Sequence, residues 1–178
     1  YPVRVALRFG AAVPAEQQAA DKGHVAAYLA HLSTITGHPI SLSEKSPNFW
    51  LYIASVDDRA TLGPALTAEI PGLTAGQRQS MTHMDRGTYC QVLTQSDAAS
   101  STYARAVAVI PAEHPDLMRL ACMHEELAQG LGLPNEWKTA PLWGVGQTDK
   151  PLLHDGRAGR DFVKAIDFHG GEAEGAKR

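Results

Sequence analysis

Long apolar runs are missing from this chain of 178 residues. No stretch reaches the roughly 18 apolar residues that a membrane-spanning helix needs, so no such span is expected. A surplus of either charge is missing too. The net charge is −3 and the pI about 6.2, which gives no reason to expect nucleic acid or an anionic membrane surface as partner. Internal repeats and heptads are absent. So are a P-loop, a dinucleotide-binding glycine pattern and a G-x-S-x-G elbow. Cysteine is scarce: only Cys90 and Cys122 occur.

What is present suffices for one core. The apolar fraction is 44%, and the length suits a single domain. Residues 1–169 are read as that domain, and 170–178 as a frayed tail. Val3, Val5, Leu7 and Phe9 alternate with polar or small residues, the pattern of a half-buried strand. A helix follows from about Pro14, with Val25, Tyr28, Leu29, Leu32 and Ile35 at helical spacing. Gly37 and Pro39 stop it. Ile40 to Ser43 is a short strand, and Asn48 to Ala54 a strong one, aromatic, β-branched and free of charge. Asp57 to Ile70 and Thr74 to Met84 are moderately helical, the second opening with the capping pattern Thr74…Gln77. Thr88 to Thr94 and Tyr103 to Ile110 read as strands, with a polar loop between them. A helix is expected from Pro115 to about Leu131, loop chemistry from Pro134 to Arg160, and a short helix from Arg160 to Ile166. The expected class is α+β: a mixed twisted sheet packed against a long N-terminal helix and the helix from Pro115.

That last helix carries the most specific pattern. Glu125, Glu126, Gln129, Gly132 and Asn135 keep the spacing of the zinc-peptidase signature H-E-x-x-H-x-x-G-x-x-H. The glutamate and the glycine are kept. The three metal-binding histidines are replaced by Glu125, Gln129 and Asn135. In a working zincin the i and i+4 histidines hold zinc and the glutamate activates water. At about 100° per residue, Leu117, Leu120, Ala121, His124, Leu127, Ala128 and Leu131 fall on one side, the expected core face. Glu125 and Gln129 stack on an adjacent face and Glu126 lies beyond them, so these groups are expected to point to a cleft or to solvent. His124 falls on the apolar stripe, and its i+4 partner is Ala128. It is therefore read as a packed histidine and not a ligand.

The two cysteines allow two readings. If the strand around Cys90 packs on the helix carrying Cys122, a disulfide can form, since that needs Cα atoms within about 7 Å. Two buried free thiols are the other reading. The chain opens on Tyr1 without methionine, from which a removed N-terminal segment is expected. Together these favour the disulfide and an oxidising compartment.

The stretch from Cys90 to Gly156 resembles an uncharacterised family of secreted or lipid-anchored bacterial proteins. That family carries Glu-Glu-x-x-Gln-x-x-Gly-Leu-x-Asn-Asp on a helix following a cysteine. Here the match is Cys122, Glu125-Glu126, Gln129, Gly132-Leu133 and Asn135, with Cys90 fitting a cysteine on the preceding strand. Position 136 is Glu where the family has Asp. Thr148, Asp149, Leu152-Leu153 and His154-Asp155 match a later stretch in shortened form. The resemblance implies a relative of the zincin peptidases, periplasmic or extracellular, and it carries no activity across. The methionine turn of metzincins is missing, because no methionine follows Met123.

Amide and carboxylate oxygens are poor substitutes for imidazole at zinc. Glu125, Gln129, Asn135 and Glu136 suit Ca²⁺ or Mn²⁺ better, with waters filling the six to eight positions that Ca²⁺ takes. The leading expectation is a secreted zincin-like domain with a degenerate metal site, holding no cofactor and binding a peptide-like or glycan ligand in the former substrate cleft. The first alternative is an active hydrolase. Glu126 would be its general base, with a metal such as zinc or calcium on Glu125, Gln129 and Asn135; in a metal-free version His154 would be the acid. The second is a structural or assembly subunit, with an apolar patch around Trp137, Leu142 and Trp143. An extended peptide would add to a sheet edge, either Tyr103 to Ile110 or Thr88 to Thr94. His24, His31 and His38 recur every seven residues and are read as a solvated face; His83, His114 and His169 receive no role.

Overall fold

The computed structural model describes residues 2–96 and 103–132. The readings placed on 133–178, including Asn135, Glu136, His154, the tryptophan patch and the tail, lie outside the described residues.

Among the described residues, five strands and five helices follow one another as β1 (Val3–Phe9), α1 (Ala15–Thr36), β2 (Ile40–Leu42), β3 (Phe49–Ala54), α2 (Val56–Ala60), α3 (Gly63–Glu69), α4 (Ala75–Thr82), β4 (Gln91–Ser96), β5 (Tyr103–Pro111) and α5 (Asp116–Gly130). The strands form a single mixed sheet of order β2-β1-β3-β5-β4. The pairs β1–β2, β1–β3 and β3–β5 are parallel; β4 runs antiparallel to β5. Strand β3 lies at the centre and every one of its residues is buried. Its charge-free sequence reflects that, since a strand covered on both faces has no polar side.

Side chains alternate between two cores. Val5, Phe49, Leu51, Ile53, Ala106, Ala108 and Ile110 pack with Val25, Tyr28, Leu29 and Leu32 of α1 and Cys122, Met123 and Leu127 of α5. Ala6, Trp50, Tyr52, Val107 and Val109 pack with Leu66, Ile70, Leu73 and Met81 around α3 and α4. A mixed sheet against α1 and α5 is as expected. The covering of the second face by α3 and α4 is not, because their sequences are polar and short of apolar periodicity. Leu66 and Met81, both fully buried, join Ile70 and Leu73 in that covering. At the start of α4, Thr74 and Gln77 form the reciprocal capping box that their spacing indicates.

Two contacts fix α5 on the sheet. Gly130 lies over the sheet so closely that a Cβ there would run into the Phe49 ring and touch Val92. Arg119 is buried and reaches α1: its Nε donates to both Asp21 oxygens at 2.7 and 3.0 Å. Its remaining nitrogens donate to His114 O at 2.8 Å and Asp116 at 3.0 Å.

Candidate functional site

The candidate site is built where α5 meets β4, the antiparallel edge of the sheet. Helix α5 opens after Pro115, with Asp116 in its first turn, where the helix dipole favours a carboxylate. Gly132 takes φ 112° and turns the chain out of the helix, a conformation that costs residues with a Cβ.

The face that α5 buries differs from the one its leucines indicate. Arg119, Cys122, Met123, Glu126, Leu127, Ala128 and Gly130 are buried, whereas Leu117 is 62% exposed. Three local anchors outrank the leucine count. Arg119 is held by Asp21, Gly130 sits on Phe49, and Cys122 is bonded to Cys90 with Cα atoms 5.9 Å apart. The rotation they impose corrects the placement of Glu126. It is 3% exposed, one turn beyond Cys122 and one before Gly130, and not on a solvent face. Glu125 is exposed.

The two carboxylates nevertheless come together. One oxygen of Glu125, one of Glu126 and Cys90 Sγ all lie within 4.8 Å of one another. Adjacent helix positions diverge by about 100°, but two long side chains bend toward the same sulfur. Gln129 completes the group by donating from Nε2 to Glu125 Oε1 at 2.9 Å. Cys90 offers no thiolate, because its sulfur is in the disulfide. The donors left for a metal are carboxylate and amide oxygens, a hard set that fits Ca²⁺ or Mn²⁺ and fits zinc poorly. Of the residues expected at the site, Glu125, Glu126 and Gln129 are thus gathered. Asn135 and His154 lie outside the described residues.

The segment leading into β4 is pinned to α5. His114 Nε2 donates to Tyr89 O at 2.7 Å, next to the Cys90–Cys122 bond. Of the two strands considered as the peptide edge, β5 is interior, paired on both sides, and β4 is the edge. Strand β4 begins at Gln91, later than expected. Thr88 belongs to a turn in which Asp85 accepts from Gly87 N and Thr88 Oγ1, each at 2.9 Å. Exposed Tyr89 and Met118 flank the same place. Sequence reasoning missed Arg119 and Asp21. Their signal was a charged residue one heptad before Glu126 on α5, and an aspartate four residues before Val25 on the apolar stripe of α1.

His124 packs as expected, its ring stacked on Tyr28 with centroids 3.9 Å apart. Burial, then the neighbouring His24 and His31, lower its pKa to about 4. The unfolded chain, with an ordinary histidine near 6.5, therefore takes up this proton before the folded one does. Stability is fully present above pH 6.5 and falls as the pH drops toward about 4, then levels. With the ring partly open to solvent, the expected loss is about 1–2 kcal/mol. Urea midpoints at pH 7.5 and 4.5 should show this difference in the native protein and a smaller one in His124→Gln. Equal differences in the two would remove His124 as the cause.

Over residues 1–142 the chain matches the family described as proteins of unknown function, DUF2927, and it belongs to that family. Residues 114–178, the smaller part of the chain, also match a family of di-haem oxidoreductases. The chain does not fit covalent haem of the c type, which needs C-x-x-C-H. Its two cysteines are 32 residues apart and bonded to each other. No curated protein and no solved structure matches the chain.

Proposed function

We propose that this member of a family of unknown function is a zincin-related domain with a converted metal site, and that the former substrate cleft, along the edge of β4 beside α5, receives an extended, peptide-like ligand. The observation that carries the reading is the Glu125–Gln129 pair. These residues stand at the two positions where a zincin helix holds its metal, and here they hydrogen-bond each other. A neutral amide spent on its carboxylate neighbour is a weak competitor for zinc.

Three further features support the cleft. The motif helix lies on the same face of the sheet as the long N-terminal helix. An antiparallel edge strand runs beside it, and an edge offers main-chain hydrogen bonds to an extended peptide. Tyr89 and Met118 supply exposed apolar surface beside the Cys90–Cys122 bond. The Cys90–Cys122 bond suits an oxidising compartment, periplasmic or extracellular. Among the described residues, no helix is long and apolar enough to cross a membrane.

A second reading keeps catalysis, with Glu126 as general base. Its burial beside Glu125 supports it, because a general base works best when desolvated. Native mass spectrometry after incubation with zinc, calcium and manganese tests both, combined with a peptide and ester screen of the native protein and Glu126→Gln. The ligand-binding reading expects no tightly retained zinc, no turnover, and peptide-dependent exchange protection in β4 that survives Glu126→Gln. One retained ion lost in Gln129→Ala, with turnover abolished in Glu126→Gln, establishes the hydrolase instead. Turnover absent and β4 unprotected by any peptide overturns both.

A further inference from the structure

Among the described residues, a second opening in the sheet lies at its other edge, away from α5. Strand β2 pairs with β1 only as far as Val5↔Leu42, while β1 continues to Phe9. The direction of the main chain beyond that point follows from the bonds on either side. Val3 N donates to Pro39 O and Ser43 N to Val5 O, so the odd residues of β1 face β2. Asn48 N donates to Arg4 O and Gly10 N to Ile53 O, so the even ones face β3. In a parallel strand the N–H and C=O of one residue point the same way. The N–H and C=O of Leu7 and of Phe9 therefore face the gap where β2 has ended. Among the described residues, the contact made there is Arg8 Nη1 to Leu7 O at 3.4 Å.

A groove of about 570 Å³ lies over the same gap. Half-buried Leu7, Phe9 and Leu42 line it from the sheet. It exists because α1 changes character along its length. Its later turns fill the space over the sheet with Val25, Leu29 and Leu32. Its first turns present Ala15 and Ala19 there, with Gln18 and Lys22 at the rim. The charges on the rim are unequal. Glu44, on the rim, is paired with Arg8 at 2.5 Å, and Lys22 is in none of the ion pairs among the described residues.

We propose that this gap is a strand-addition site for a partner protein's extended segment, with apolar side chains at alternate positions and a carboxylate beside Lys22. The segment continues the line of β2. Its main chain pairs with Leu7 and Phe9, its alternate side chains enter the groove, and its carboxylate meets the Lys22 ammonium. The site is independent of the β4–α5 cleft.

The test is an amide-resolved NMR titration of the ¹⁵N-labelled domain. The probe is an acetylated, amidated pentapeptide, glutamate-threonine-valine-threonine-valine, in which the glutamate and both valines share the face that enters the groove. Shifts and slowed exchange are expected at Leu7 and Phe9 and along Ala15 to Lys22, with β4 unaffected. N-methylation of the first threonine, whose N–H faces β1, removes one main-chain donor worth about 1 kcal/mol and should weaken binding about fivefold. Ala19→Phe should fill the groove and weaken it similarly. Lys22→Glu should weaken the glutamate peptide and strengthen its lysine counterpart, a reversal that damage to the fold would not produce. The proposal is overturned by no response at Leu7 and Phe9 up to millimolar peptide, by a response confined to β4, or by equal binding of the N-methylated peptide. Protection that grows with protein concentration alone would make a second copy the occupant and overturn it as well.

Discussion

Asp21→Ala is expected to lower the unfolding free energy by about 3–5 kcal/mol, the usual cost of stranding one member of a buried ion pair. Asp21 is 1% exposed and Arg119 4%, and both carboxylate oxygens accept from Arg119 Nε. Without Asp21 the guanidinium keeps only His114 O and the exposed Asp116 as partners, and burial leaves it uncompensated. The pair also ties α1 to α5, so the loss should reach the site. Exchange protection across Cys122 to Gly130 should fall along with global stability. The double variant Asp21→Leu with Arg119→Met removes both charges together and should be much less destabilised than Asp21→Ala. Chemical denaturation of the three proteins checks the pair. A cost below about 1 kcal/mol for Asp21→Ala would show that solvent reaches Arg119.

Removing the disulfide is the second large effect. Cys90 and Cys122 close a loop with a sequence separation of 32. For a loop of that length the chain-entropy relation gives about 3–4 kcal/mol at 25 °C. Replacing both cysteines by alanine should cost about that much when the proteins are compared oxidised. In reducing buffer the native protein should fall to the level of the variant. Guanidinium midpoints in the two buffers provide the four values needed. The disulfide also joins the entry of β4 to α5 beside Glu125 and Glu126. Amides from Tyr89 to Val92 should therefore exchange faster in the variant, even where it remains folded. If those amides are unchanged, His114 donating to Tyr89 O is enough to hold the strand entry.

Much of the fold was legible because its signals are local. The strands β1 and β3, the long α1 with its stop at Gly37, the Thr74–Gln77 capping box and the extent of α5 follow from periodicity and cap chemistry within a few residues. The proximity of Glu125 and Gln129 was legible as an i, i+4 spacing on one helix; the approach of Glu126 was not. Three further features were not. The rotation of α5 was misread, because Leu117 and Leu120 look like core while Arg119 and Glu126 do not. The covering of the second sheet face by α3 and α4 was hidden, because a few large residues such as Leu66 and Met81 do it without a periodic stripe. The edge position of β4 was undecided against β5, because pairing partners are set by the whole topology.

Although α2 and α3 ran together in it and β4 began three residues early, the sequence by itself determined which segments are helical or extended and which chemical groups the motif helix carries. Those properties depend on backbone preferences and on neighbours within a turn or two. Only the tertiary structure decided that Glu126 is buried, that Glu125 is satisfied by Gln129, and that, among the described residues, the sheet is open at β4 and beyond the end of β2. Burial and pairing depend on contacts between residues far apart in the chain, Asp21 with Arg119, Cys90 with Cys122, Phe49 with Gly130. Each of these anchors fixes a helix more firmly than one more leucine on its surface could.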